Sequence, residues 1–130
     1  MKTVFTDLQS HSGDGTVVRN RMQLAALLES FSNRTPFGCE LVADNGHKVV
    51  FGAGGGIGFV QHSPSDGDPP FRMAIAKKNH CERDYVEFLV GGTATPIAQR
   101  YCLSASEVEE IVACFVETGE LALGFAWEEI

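Results

Sequence analysis

Apolar residues alternate along residues 37–43, with Phe37, Cys39, Leu41 and Ala43 on one side, and a second stretch follows at 47–53. A short turn sequence, DNG at 44–46, separates the two stretches. Alternation with a period of two is typical of a strand with one buried face, and a turn of this length joins antiparallel neighbours. The pattern therefore predicts a β-hairpin.

A helical spacing of large apolar residues covers positions 24–31, where they recur at i, i+3, i+4 and i+7. Asn20 can cap the N-terminus of this helix, with Gln23 three residues later. The helix should end before Pro36, because the residue preceding a proline disfavours the α conformation. These positions predict one amphipathic helix beginning after Asn20.

The last thirty residues predict a second helix followed by a terminal strand. Ser104 and Glu107 form an S-x-x-E capping box, so this helix should begin at Ala105 and end where Gly119 can become left-handed. The apolar stripe of the helix is Val108, Ile111, Val112 and Phe115. The alternating apolar positions of the strand are Leu121, Leu123, Phe125 and Trp127. We expect Trp127, which is in phase with the others, to belong to the core rather than to an interface.

Four further short stretches, 2–8, 57–62, 71–76 and 85–90, read as strands. Most connections are of hairpin length, which favours antiparallel pairing. The predicted fold class is therefore α+β, with a largely antiparallel sheet of about six short strands packed with two main helices. A length of 130 residues predicts a single domain over 1–130.

Charge is distributed unevenly along the chain. The 17 acids and 10 bases give a formal net charge of −7, and seven acids but no Lys or Arg follow Arg100, so the rest of the chain is balanced. The seven acids are Glu107, Glu109, Glu110, Glu117, Glu120, Glu128 and Glu129. A local acidic block indicates a basic partner, although any amphipathic surface helix also has a charged outer face.

Two stretches suggest chemistry and then lack the residues that it needs. The glycines at 52–58 match neither GxGxxG nor GK[ST], and they lie between two predicted strands, which favours a hairpin or bulge. His80 and Glu82 form the H-x-E that begins a zinc deaminase signature, but no P-C-x-x-C follows. We therefore predict no enzyme, no metal and no cofactor. The alternatives that stay open are a small metal-dependent enzyme using His80 and Glu82, and a regulatory module that self-associates through the glycine-rich hairpin.

The four cysteines contain no CxxC pair, and the chain has neither a signal-peptide core nor an apolar run long enough to span a bilayer. The simplest reading is a cytoplasmic protein whose thiols are reduced.

The order of features in the last third of the chain resembles a known family. Gly91 and Gly92 end a strand, Ser104 begins a capped helix that contains Phe115, and Trp127 precedes the terminal acids. This arrangement, best from residue 85 to 129, is similar to the first numbered family of bacterial polymorphic-toxin immunity proteins. The resemblance implies an antidote that binds a cognate toxin domain in interbacterial competition, commonly a nucleic-acid or nucleotide deaminase.

A nucleic-acid-targeting toxin needs a basic groove to hold phosphates, and an acidic surface can occupy that groove. The predicted mode of action is occlusion of this basic active site. The chain is predicted to be a monomer and to bind no nucleic acid directly. The predicted toxin-binding residues are Glu109, Glu110, Glu117, Glu120, Glu128 and Glu129, with Asp66 and Asp68 of the SPSDGDPP loop as a second surface.

Overall fold

The computed structural model describes residues 1–79 and 81–130. His80, one of the two residues of the alternative metal-dependent enzyme, lies outside the described residues. The elements in chain order are β1 (Thr3–Asp7), β2 (Val17–Val18), α1 (Arg21–Glu29), β3 (Phe37–Ala43), β4 (His47–Ala53), β5 (Ile57–Gly58), β6 (Val60–Pro64), β7 (Arg72–Ile75), β8 (Tyr85–Val90), β9 (Thr93–Ala98), a 3₁₀ turn (Gln99–Tyr101), β10 (Leu103–Ser104), α2 (Ala105–Thr118) and β11 (Ala126–Glu129).

Nine of the strands form one sheet in the order β11-β7-β6-β4-β3-β1-β2, with β8 paired to β3 and β9 paired to β8. All of these pairings are antiparallel except the short contact between β3 and β8, which joins Phe37 to Leu89. The predicted α+β class and the hairpin of β3 and β4 are confirmed.

The expected count of about six strands is wrong, because the described residues contain eleven. The single strand predicted at 57–62 divides at Phe59: β5 pairs with β10, whereas β6 joins the large sheet. The stretch 93–98, which contains Pro96 and was not predicted as a strand, forms β9 and pairs with β8 along its whole length.

Both helices lie over the same face of the sheet. α1 buries Leu24 and packs Leu27 and Leu28 against the main core, and α2 buries its predicted apolar stripe. The sheet residues of this core include Phe5, Phe37, Cys39, Leu41, Val49 and Phe51. The helices run side by side in opposite directions, since the first residue of α1 reaches the end of α2 through an Arg21–Glu117 ion pair of 3.7 Å.

The opposite face of the sheet carries a second, smaller core. Phe59, Met73, Phe88 and Tyr101 form its centre, and Val50 packs against them. Because successive strand residues point to opposite faces, Val50 faces this cluster while Val49 and Phe51 face the helices. The β8–β9 hairpin therefore covers the face that the helices leave open.

The caps of α2 are those predicted from the sequence. The Ser104 hydroxyl accepts from the Glu107 amide, and the Glu107 carboxylate accepts from the Ser104 amide. Gly119 ends the helix with φ of 74°, a conformation that costs glycine little. α1 begins with the predicted cap, since Asn20 Oδ1 accepts from the Gln23 amide.

The terminal strand is shorter than predicted. Gly124 has φ of 91°, and the strand begins only at Ala126, so the alternation that starts at Leu121 does not continue. Leu123 is 94% exposed, and its predicted place in the core is wrong. Trp127 packs against the main core as expected, and its indole N–H donates to the Ala122 carbonyl at 3.3 Å.

Candidate functional site

Two of the predicted acids of α2, Glu110 and Glu117, lie on the side of the helix that faces away from the sheet. Glu110 and Glu117 are seven residues, or about two turns, apart and both are exposed, while Glu109 is half-buried and lines the groove on the side of α1. The other side of the helix is filled by buried apolar residues. Burial of that side fixes the helix to the sheet, so the three carboxylates are held on a rigid element.

Glu117 is partly neutralised within the chain. Its carboxylate lies 3.7 Å from the Arg21 guanidinium, and the two side chains are 45% and 54% exposed. An ion pair with this exposure stabilises the fold by at most about 1 kcal/mol. Glu117 can therefore exchange Arg21 for a cation of a partner at little cost.

Glu128 is more firmly engaged. Arg100 donates to its carboxylate from Nε at 2.9 Å and from Nη2 at 3.1 Å, and the Tyr101 hydroxyl donates at 2.7 Å. The hydrogen bonds from Tyr101 and Arg100 lower the pKa of Glu128. Glu128 pairs with Met73 of the second core, so it lies on the sheet face opposite the helices. Glu129 is exposed at the adjacent strand position, across from Arg72.

Another group of acids gathers at one end of the molecule. The turn between β3 and β4 connects the end of α2 to the loop after β6. Asn45 Nδ2 donates to the Gly119 carbonyl at 3.1 Å, and the Ser65 amide donates to the Gly46 carbonyl at 2.8 Å. The exposed acids of the predicted set at this end are Asp66, Asp68 and Glu120.

The predicted toxin-binding residues therefore divide into three groups in the described structure. Glu109, Glu110 and Glu117 share one helix, and Glu120 lies at the same end as the Asp66 and Asp68 loop. Glu128 and Glu129 lie on the edge strand β11, where Glu128 faces the side of the sheet opposite the helices. Proximity in sequence does not place all of these carboxylates on one surface.

A groove of about 410 Å³ lies between the last turns of α1, the glycine-rich turn after β4 and the first turns of α2. Ala25 and Leu28 line it from α1, and Ala105 and Val108 line it from α2. We call it the α1–α2 groove. Small residues leave this space open, because alanines stand where larger apolar side chains would fill the gap between the helices.

Two carboxylates border the α1–α2 groove from opposite walls. Glu29 is the last residue of α1, and Glu109 lies in the second turn of α2. None of the described lining residues is a Lys or Arg, and neither carboxylate forms an ion pair within the described parts of the chain. Neither the role of Glu29 nor the groove is predicted from the sequence, because both depend on how α1 and α2 pack.

The glycine-rich turn positions α2 and is not a free edge of the sheet. Gly54, Gly55 and Gly56 all have positive φ and connect β4 to β5, and the Gly56 carbonyl accepts from the Ala105 amide at 3.0 Å. A Cβ at Gly58 would collide with the Gly52 carbonyl and with Val108. This stretch therefore forms the turn between strands that its sequence predicts, and it ties the floor of the groove to α2.

The titratable side chains of His62 and Cys39 are buried among neighbouring side chains. His62 stacks on His47 at 5.1 Å and meets the Phe115 ring edge-on at 5.8 Å, and desolvation lowers its pKa to about 4. Burial raises the pKa of the Cys39 thiol. Among the residues that the structure describes, no three or more His, Cys, Asp or Glu side chains are grouped so as to hold a metal ion. No described helix is long and apolar enough to cross a membrane.

These features define the class of protein: an α+β fold with an acidic surface helix and an adjoining apolar groove. The chain belongs to the family described as Immunity protein Imm1, whose model matches residues 12–129. This span includes both helices and every described strand except β1. The family predicted from residues 85–129 is confirmed. Neither the curated proteins nor the solved structures contain a significant match.

Proposed function

We propose that this chain is an immunity protein that neutralises a cognate toxin domain by covering a basic active site with the outward side of α2. The observation that carries the proposal is the exposed position of Glu110 and Glu117 on a helix whose opposite side is buried in the core, with Glu109 beside them at the edge of the α1–α2 groove. Membership of the immunity family supports the class of function.

The carboxylates of α2 and the apolar surface beside them contribute differently. Exposed charges of complementary sign chiefly raise the association rate, whereas buried apolar contacts lower the dissociation rate. Glu109 and Glu110, which have no ion pair in the described structure, supply most of the attraction. Glu117 adds to it once Arg21 is displaced.

The acids at the end of the molecule and on β11 form a secondary part of the proposed surface. Asp66, Asp68 and Glu120 are exposed and would extend the negative potential beyond the end of α2, and Glu129 would extend it along the edge strand. Glu128 contributes least, since Arg100 and Tyr101 already satisfy its carboxylate.

The toxin class that we propose is a deaminase acting on nucleic acid. Such a toxin needs positive charge to hold phosphates, which the acidic side of α2 complements. The family resemblance supports the same class. We further propose that binding takes place in the cytoplasm of the protected cell, where the four free thiols stay reduced.

The first experiment is co-purification of the chain from its host and identification of the bound protein by mass spectrometry. The bound toxin domain is then assayed for deamination of single-stranded DNA and RNA, with increasing amounts of the chain. We expect inhibition that is complete at one equivalent. Failure of any toxin domain to co-purify, or full toxin activity in a saturated complex, would overturn the proposal.

The second experiment measures the rates of binding by the triple variant Glu109→Gln, Glu110→Gln and Glu117→Gln. At low salt, its association rate constant should fall on the order of tenfold and should depend less steeply on salt. The matched control, Glu82→Gln, Asp84→Asn and Glu87→Gln, removes the same charge from exposed residues on or beside the β8–β9 hairpin. Equal effects of the two triple variants would assign the attraction to net charge and would reject the side of α2 as the binding surface.

A further inference from the structure

The α1–α2 groove is a mostly apolar depression that adjoins Glu109 of α2. Its volume of about 410 Å³ lies at the small end of the range of about 300–1,000 Å³ that is typical of binding pockets. Ala25 on one wall and Ala105 on the other could be larger without displacing a buried core residue, since neither is fully buried.

The charges at the groove specify which kind of side chain can enter it. Glu29 and Glu109 border it from opposite walls, and neither carboxylate is ion-paired in the described structure. An apolar group fits the lining, and a cation at either side of that group would pair with the carboxylates. The groove therefore complements an apolar side chain that has Lys or Arg as a sequence neighbour.

The surface that surrounds the groove favours a protein over a small molecule. Met22 is 82% exposed and lies on the same side of α1 as Ala25 and Glu29, because these residues are three, four or seven positions apart. Apolar surface thus continues from Ala25 at the groove to Met22, about one turn along the helix. Flexible exposed methionines are common on protein-binding surfaces.

We propose that the α1–α2 groove is the specificity pocket of this immunity protein, receiving an apolar side chain from a loop of the toxin domain that carries Lys or Arg beside it. The inference rests on the proposed function and goes further by assigning the anchor to α1 as well as α2. A buried anchor in a well-packed pocket, surrounded by contacts that exclude water, is the usual form of a binding hot spot. The pocket sets the residence time, and Glu29 and Glu109 orient the loop.

The test fills the groove without removing any carboxylate. Ala25→Phe places a ring in the groove, whereas the control Ala26→Phe adds the same ring at an exposed neighbouring position that does not line it. The probe is the toxin domain that co-purifies with the wild-type chain. We expect Ala25→Phe to dissociate at least about tenfold faster and Ala26→Phe to dissociate within about twofold of wild type.

A second variant covers the case in which Ala25→Phe fails to fold, which circular dichroism would reveal. Ala105→Leu fills the groove from the opposite wall at an exposed first helical position, and it should speed dissociation in the same way. Wild-type dissociation rates in a folded Ala25→Phe or Ala105→Leu variant would reject the pocket while leaving the immunity function in place. Absence of toxin binding by the wild-type chain would instead reject the proposed function.

Discussion

At the scale of single residues, the carboxylate of Asp7 needs partners to offset its desolvation, because its side chain is 0% exposed. Arg34 Nη1 donates to Oδ2 at 2.8 Å, and the amides of Gln9 and Ser10 each donate to Oδ1 at 2.9 Å. The Arg34 guanidinium also lies 3.6 Å from the centre of the Phe37 ring. Asp7 thus ties the end of β1 to the segment after α1.

Replacing Asp7 by Asn should lower the free energy of unfolding by roughly 2–4 kcal/mol at pH 7, because the amide leaves the Arg34 charge without its partner. Desolvation raises the pKa of Asp7, but the hydrogen bonds from Arg34, Ser10 and Gln9 outweigh it and the net shift is downward. The stabilisation is therefore present above the ordinary value of 3.8 and is lost as pH falls through the lowered value. Urea unfolding at pH 7 and pH 3 measures this effect: the difference in the free energy of unfolding between wild type and Asp7→Asn should be smaller at pH 3. The control is Asp68→Asn at an exposed position, which should leave the free energy of unfolding unchanged.

His62 should make the fold sensitive to mild acid. Desolvation, followed by the nearby His47 and Arg72, lowers the pKa of His62 from 6.5 to about 4. Between these values the unfolded chain binds a proton that the folded chain does not, so stability falls as pH is lowered through that window, by up to about 3 kcal/mol. His62→Gln should flatten the dependence of the urea midpoint on pH between 7 and 4.5.

The control for His62 is His11→Gln, which removes an imidazole from an exposed position beside Asp14. If both variants reduce the pH dependence of the urea midpoint equally, the loss of any histidine produces the effect, and the buried His62 ring has no special role.

At the scale of secondary-structure elements, the start of α2 is where local sequence has the clearest energetic effect. Ser104→Ala removes the hydroxyl that accepts from the Glu107 amide at 3.2 Å, and it should cost about 1 kcal/mol of stability. Ser106→Ala, at an exposed position two residues later, should change stability by less than about 0.5 kcal/mol. Thermal unfolding monitored by circular dichroism checks both values, and equal effects would contradict the role of the cap.

The elements that sequence predicts well are those whose determinants are local. The β3–β4 hairpin follows from alternation around a DNG turn, and the bounds of α2 follow from Ser104, Glu107 and Gly119. The two missed features have different causes. β9 is local, since Gly91 and Gly92 form a two-residue turn that joins it to β8, but Pro96 is unusual within a strand and obscures the pattern. The break at Phe59 depends on a distant partner, because β5 pairs with a segment 45 residues later.

At the scale of the whole molecule, the candidate site was predictable only in part. The outward position of Glu110 and Glu117 follows from helical periodicity, which the sequence contains, whereas the position of Glu109 against α1 depends on how the helices pack. The separation of Glu128 from them does not, because it results from the strand order that places β11 at the sheet edge and turns Glu128 toward Tyr101. The groove needs α1, α2 and the glycine-rich turn together, and its only sequence signal is the pair of small residues Ala25 and Ala105.

The edges of the sheet argue for a monomer. β2 has only two residues, and β11 carries two glutamates. The third edge is β9, which pairs only with β8. The Gln99 amide donates to the Asp84 carbonyl, so by alternation the backbone of Ala94, Pro96 and Ala98 faces outward. Pro96 therefore removes a donor from the middle of this free edge, which is a common way to prevent pairing between copies.

We therefore expect the wild-type chain to sediment as a 14.1 kDa monomer at concentrations up to about 100 μM. Pro96→Thr restores an outward N–H on a strand with good β propensity and should produce measurable self-association in that range. Thr93→Val, at a position whose backbone pairs with Val90, is the control and should stay monomeric because it adds no donor to the outer edge. A wild-type dimer at micromolar concentration would contradict the expected monomer and would identify a second copy of this chain as a binding partner.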